Sequence, residues 1–169
     1  VTVLQFPQRK AVGDKHQDRV KVELEKRGWR VDPQGQDTLS EEVKRALKQT
    51  ESPERWRPDF LVACGSTIRF VDAKGSMHGV RTDKNLVNKK ALAAYLRLTA
   101  EQDIPVYLVF DDLGVLTPAE VMQIAGYERL GNASGAYLSV PRSRSRRFDD
   151  IFGTEHPTTW GAAPLFDAA

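Results

Sequence analysis

Apolar positions recur at helical spacing over residues 14–27. Val20 and Leu24 lie about 40° apart on a helical wheel, with Gln17 about 20° beyond Leu24, while Asp18 and Glu25 fall on the far side. This predicts a helix closed by Gly28, a residue suited to a C-cap. A short strand over 29–31 is stopped by Asp32-Pro33. Residues 38–42 carry a helix cap and start, with Val43, Ala46 and Leu47 expected to face inward. Segments 59–63 and 67–73 are rich in Val, Ile and Phe and are separated by Gly65-Ser66, which predicts a hairpin. A turn-like stretch over 75–83 precedes a long helix over 84–100, in which Leu86, Lys89, Leu92, Ala93 and Leu96 keep helical spacing. The most apolar strand, 106–110, is followed by the turn Asp111-Asp112-Leu113-Gly114 and a short returning strand at Val115-Leu116. Thr117 and Pro118 suit the cap and first position of another helix, and 136–140 reads as an edge strand. The order is α-β-(insert)-β-β-α-β-(β)-α, which predicts an α/β fold: a mixed central sheet flanked by helices.

The length of 169 residues suits one domain spanning 1–169, with an insertion at about 34–57 and a tail over 156–169 without periodicity. With 40% hydrophobic and 28% charged residues the chain can bury a core, and no apolar run reaches the roughly 20 residues of a membrane helix. No charged-then-apolar leader opens the sequence, and the sole cysteine, Cys64, excludes an internal disulfide and any multi-cysteine metal site. The expected compartment is the cytoplasm, with no membrane partner. The net charge of +2 is uninformative, but its distribution is not. Arg142, Arg144, Arg146 and Arg147 follow Pro141 with serine spacers and no acid among them. Segment 141–147 therefore reads either as a flexible phosphate-contacting arm or as a solvated loop. Lys89 and Lys90 carry the same two readings.

Asp59, Asp72 and Lys74 carry the candidate chemistry. A turn centred on Gly65-Ser66 places Asp59 opposite Asp72, and Lys74, two residues on, projects from the same face. Two carboxylates this close repel unless a cation lies between them, and a hard divalent ion such as Mg²⁺ suits oxygen ligands. An adjacent lysine can stabilise a phosphate oxyanion or position water, so the set suits phosphodiester hydrolysis. Acids at strand ends are common, and a salt-bridge network at a sheet edge is the bland reading. His78 and His156 lack metal-ligand spacing, and Trp56, Trp160 and Tyr95 read as packing residues.

Pro58-Asp59 followed by Asp72-Ala73-Lys74 resembles the PD-(D/E)XK nuclease superfamily, whose αβββαβ core the predicted order matches over about residues 14–116. The similarity is nearest to archaeal Holliday-junction resolvases and Mrr-like restriction endonucleases. The resemblance implies a restriction-endonuclease-like fold and a metal-dependent endonuclease acting on DNA. It implies Mg²⁺, with Mn²⁺ as substitute, and a homodimer. Asp59 and Asp72 would be metal ligands, Ala73 would lend its backbone carbonyl, and Lys74 would be the catalytic lysine. Those families carry an acid in the first helix, about eleven residues before a Gly-aromatic pair. Here the pair is Gly28-Trp29 and the residue eleven positions back is Gln17, with His16 and Asp18 as alternatives to complete the site. The departure leaves open an inactive nuclease-fold nucleic-acid-binding module, and the motif does not separate DNA from RNA.

Overall fold

A computed structural model describes residues 6–75, 83–125, 127–129 and 136–153. His78, His156, Trp160 and the tail over 156–169 lie outside the described residues. Helix α1 (Phe6–Lys26) starts earlier than the apolar spacing predicts. It ends at Gly28, whose φ of 79° is the left-handed conformation a Cβ disfavours. The amides of Gly28 and Trp29 donate to the carbonyls of Glu25 and Leu24 at 3.0 and 3.1 Å, the pairing of a Schellman cap.

Five strands form the main sheet in the order β1-β2-β3-β5-β6. They are β1 (Arg30–Pro33), β2 (Phe60–Cys64), β3 (Thr67–Lys74), β5 (Val106–Phe110) and β6 (Val115–Leu116). All neighbours are antiparallel except β3 and β5, so the sheet is mixed. The β2–β3 hairpin turns at Gly65, with φ of 57°, and pairs Phe60 with Val71 and Leu61 with Phe70. This is the register expected from the sequence.

The stretch 84–100 is not one helix. Residues Lys84–Asn88 form β4, paired with β8 (Tyr137–Pro141), and only Lys89–Gln102 are helical, as α3. The boundary is Asn88, whose side-chain oxygen accepts from the amides of Lys90 at 2.9 Å and Ala91 at 3.2 Å. Nor does β8 lie at an edge: it is the middle strand of a second, antiparallel sheet, β4-β8-β7, with β7 at Tyr127–Arg129. Helix α4 (Pro118–Ile124) opens with a complete capping box between Thr117 and Glu120.

The main sheet is covered on both faces. On one face Val20 and Leu24 of α1 pack with Trp29, Phe60, Val62, Val71 and Val109, joined by Phe148 and Phe152 of helix α5 (Phe148–Phe152). On the other, Ala91, Leu92 and Tyr95 of α3 pack on Phe70, Val106 and Leu108. The middle of β3, Phe70 to Asp72, is thus buried on both sides, and Asp72 is only 3% exposed.

The 34–57 insertion contains α2 (Glu41–Lys48), capped by Ser40, between two 3₁₀ turns at Gln36–Thr38 and Pro53–Arg55. Its expected inward face does not materialise: Val43 and Ala46 are exposed and Leu47 is half-buried. The helix lies against the insertion rather than on the sheet. The insertion closes on itself through Gln36, whose side-chain amide donates to the Arg55 carbonyl.

The arginine segment is not a free arm. It forms a 3₁₀ turn (Arg142–Arg144), a bridge from Arg146 to Val115 of β6, and the N-cap of α5 at Arg147.

Candidate active site

Asp59 and Asp72 sit at the open end of the β2–β3 hairpin. The last paired residues are Phe60 and Val71, so Asp59 and Asp72 stand at the next opposed positions. Every carboxylate oxygen has a neighbour that fixes it. Asp59 Oδ1 accepts from the Gln17 side-chain amide at 2.8 Å, and its Oδ2 accepts from the Ala73 amide at 2.7 Å. Asp72 Oδ1 accepts from the Tyr95 hydroxyl at 2.7 Å. Asp72 Oδ2 lies 2.5 Å from Lys74 Nζ and is otherwise buried without a hydrogen-bond donor.

The site is therefore assembled from four elements: α1 brings Gln17, the β2 entry brings Asp59, β3 brings Asp72 and Lys74, and α3 brings Tyr95. Of the three candidates on α1, Gln17 is the one directed at Asp59. His16 is buried and contacts the Val109 carbonyl at 3.0 Å, with burial lowering its pKa, while Asp18 is exposed.

Two residues at the site carry no signal in the sequence. Tyr95 reads there as a core position, yet its hydroxyl holds the Asp72 carboxylate. Its ring also lies 5.4 Å from Lys74 Nζ, in cation–π range. Gly35 is the other. The amides of Gln34 and Gly35 both donate to the Asp59 carbonyl, at 2.8 and 3.1 Å. A Cβ on Gly35 would lie 3.2 Å from both Asp59 Cα and Asp59 Oδ1. With φ of −63°, Gly35 is not there for backbone freedom; it leaves room for Asp59. Gly35→Ala is therefore expected to displace Asp59 and weaken Mn²⁺ binding by about 10- to 100-fold, as loss of an outer support does. The fold should keep its stability, and calorimetric titration with Mn²⁺ alongside thermal unfolding separates the two effects.

Electrostatics follow from crowding. Burial, then the charge of Asp72, pushes the Asp59 carboxyl up from 3.8 to about 8, against the pull of Lys74 and the Ala73 amide. Burial works against a charged Lys74, but Asp72 first, and Asp59 after it, outweigh that and raise its pKa. Lys74 is thus an ammonium at neutral pH.

Hard oxygen donors fit a divalent cation here. The Asp59 carboxyl is held protonated chiefly by burial and a second carboxylate, and a cation relieves both. Within a strand the N–H and C=O of one residue point to the same side, so the Ala73 carbonyl faces Asp59, past the last β2–β3 pair. Among the described residues no cluster holds three or more His, Cys, Asp or Glu. The donor set is two acids, one carbonyl and the Gln17 amide.

The basic residues are dispersed. Lys89 and Lys90 are exposed at the start of α3, and Lys90 pairs with Glu51 at 3.2 Å. Arg142 is drawn inward, its guanidinium bonded to Asp111 and 3.1 Å from Asp112. Arg146 pairs with Glu120 at 2.9 Å. Arg144 and Arg147 are exposed.

No protein-family model and no curated protein sequence matches the chain. Among solved structures, it is similar to Hjc from Archaeoglobus fulgidus, a Holliday junction resolvase from an archaeal hyperthermophile. The TM-score is 0.51 at 10% identity, over 83% of this chain and 95% of that one. The fold is restriction-endonuclease-like. That likeness spans nearly all of the resolvase, and the element order α1-β1-β2-β3-α3-β5 of this chain is the αβββαβ core expected from its sequence. No described helix is long and apolar enough to cross a membrane.

Proposed function

We propose that this chain is a metal-dependent nuclease that hydrolyses phosphodiester bonds, acting as an endonuclease on DNA. The observation that carries the reading is the convergence of Asp59, Asp72 and Lys74 at one end of the hairpin, on a fold shared with a Holliday junction resolvase. Asp59, Asp72 and the Ala73 carbonyl would hold Mg²⁺ or Mn²⁺. When bound, such a cation polarises a phosphoryl oxygen and lowers the pKa of its water.

The side chains divide the remaining work. Lys74, kept as an ammonium by Asp72, cannot take a proton from water; it stabilises the negative charge that develops on the phosphoryl oxygens. Tyr95 fixes Asp72, and Gln17 with the Ala73 amide fixes Asp59, so neither carboxylate has to be ordered when substrate arrives. Lys89, Lys90 and Arg147 are exposed cations suited to backbone phosphates. A homodimer would bring two such sites to one duplex.

The test is incubation of the purified chain with duplex, branched and single-stranded DNA and with RNA, in Mg²⁺, Mn²⁺ or EDTA. Metal-dependent cutting of DNA supports the reading. Binding without cutting in either metal favours the inactive nucleic-acid-binding module, and cutting of RNA alone reassigns the substrate.

Gln17 gives a separate prediction. In Gln17→Glu a third carboxylate replaces the amide that donates to Asp59, 2.8 Å away. The metal-free protein should lose about 1–3 kcal/mol, the cost of removing a half-buried donor and crowding a third carboxyl against Asp59 and Asp72. Mn²⁺ affinity should rise, since the added charge faces the cation. Urea unfolding with EDTA and calorimetry with Mn²⁺ read the two opposite signs; equal stability and equal affinity would place position 17 outside the site.

A further inference from the structure

A pocket of about 320 Å³ opens between the turn that follows β5 and the start of α5. Its lining holds four arginines, Arg27, Arg142, Arg146 and Arg147, against two acids, Asp112 and Asp149. Both acids are already matched, Asp112 by Arg142 and Asp149 by Arg27 at 2.6 Å. The Arg147 side chain is exposed and makes no ion pair or hydrogen bond among the described residues.

Two further lining residues hold donors that the fold leaves unused. Ser145 Oγ and Arg146 Nε are buried and find no acceptor among the described residues. Arg146 spends only its Nη2 on Glu120. A buried donor without an acceptor is destabilising, so two in one pocket call for a ligand with acceptors. Gly114 belongs to the same construction: a Cβ there would lie 2.7 Å from Ser145 Cβ and 3.0 Å from Ser145 Oγ, so only glycine admits the serine at this depth.

We propose that this pocket binds a phosphate group of the nucleic-acid backbone. The ligand must be anionic, because Arg27, Arg142 and Arg146 are matched by Glu23, Asp149, Asp111, Asp112 and Glu120, which leaves Arg147 as the lining arginine without an acid among the described residues. It must accept from several donors at once, because a hydroxyl, a guanidinium Nε and the Arg147 guanidinium belong to residues that line one pocket. A tetrahedral phosphate satisfies both demands. Placement agrees: the 112–114 rim follows β5, whose Val109 and Phe110 pair with Ala73 and Lys74. That rim lies at the end of the sheet that carries the carboxylates, and the pocket runs from it to Arg27, just past the end of α1. The inference rests on the nuclease reading for its ligand, but not for its geometry.

The test is duplex binding by fluorescence anisotropy over a salt series in EDTA, where cutting cannot occur. It is paired with thermal unfolding of the same proteins in inorganic phosphate. Arg147→Ala should flatten the slope of log affinity against log salt by about 0.9, the value of one phosphate contact. Ser145→Ala, which changes no charge and vacates space beside Gly114, should weaken binding about tenfold with an unchanged slope. Arg144→Ala is the control, an equal loss of charge outside the pocket, and should move neither quantity as far. Phosphate should raise the unfolding temperature of the wild type and not of the Ser145→Ala, Arg147→Ala double variant.

A slope that responds equally to Arg144→Ala and Arg147→Ala overturns the proposal, as does a Ser145→Ala variant that binds like wild type. Those results would leave the pocket merely hydrated. A response to inorganic phosphate without any effect on DNA binding overturns the backbone assignment. A wild type that binds DNA by these criteria but never cuts it with metal refutes the nuclease reading and leaves this site standing.

Discussion

Asp72→Asn is expected to reduce metal-dependent cleavage by at least about 100- to 1,000-fold, the scale on which loss of one charge-stabilising group in an active site is felt. The carboxylate is 3% exposed and has two partners that respond differently. The Tyr95 hydroxyl, donating at 2.7 Å, finds an equal acceptor in the amide oxygen. Lys74, at 2.5 Å from Oδ2, loses its counter-ion. Sequence reasoning alone expects stability to hold or rise, because acid–acid repulsion with Asp59 is relieved. The ion pair reverses that expectation. Its charge-assisted contact is worth about 1.5–3 kcal/mol, discounted because the Lys74 side chain is 25% exposed and can turn to solvent. After the relief at Asp59, a net loss of about 1 kcal/mol should remain, readable by urea unfolding. Binding of duplex in EDTA should persist. Undiminished cutting by a folded Asp72→Asn would remove the basis of the nuclease reading.

How much of this was legible in the sequence depended on the length scale of the signal. The hairpin was, because Gly65-Ser66 fixes a register by counting and Asp59 and Asp72 follow from it. Gln17 was in part: its angle to Val20 and Leu24 places it beside the buried stripe of α1, while His16 and Asp18 stay open until the contact with Asp59 is seen. The β4–α3 boundary was not: Leu86 keeps the helical spacing of Leu92 and Leu96, and only the pairing of β4 with β8, a partner some fifty residues away, makes 84–88 a strand. The same non-local pairing turned β8 from an edge into a centre. Helix α2 was visible from Ser40, but its apolar face implied a packing surface that the insertion does not supply. Tyr95 and Gly35 were invisible for a further reason. Their roles lie in what they touch across the fold, and a tyrosine in a helical stripe or a glycine after Pro33-Gln34 has an ordinary local explanation. The arginine run was seen as a unit, yet its members separate: Arg142 and Arg146 are committed to Asp111, Asp112 and Glu120, acids distant in sequence.

Mn²⁺ affinity is expected to rise by up to about 100-fold between pH 6 and pH 8 and to level off above. The Asp59 carboxyl, raised to about 8 first by burial and then by Asp72, carries a proton through that window. A cation binds the ionised form, so each pH unit below 8 costs up to about tenfold for the proton that must leave. Lys74 does not contribute, since its own pKa is raised and it stays charged throughout. Folding without metal gives the matching sign. A folded-state pKa above the unfolded one means that the native protein holds the proton more tightly between about 4 and 8. Its stability therefore falls as pH rises through that window, by at most about 1.4 kcal/mol per unit. Saturating Mn²⁺ should remove the decline, because it stabilises the ionised form that crowding disfavours. Calorimetry in buffers of different ionisation enthalpy counts the proton directly: close to one released per Mn²⁺ at pH 6.5, and fewer above pH 8. Asp59→Asn should abolish both the release and the pH dependence of metal-free stability. An Mn²⁺ affinity that is flat from pH 6 to 8 would mean that Asp59 is already ionised in the folded protein, and that the two carboxylates stand further apart than the hairpin register places them.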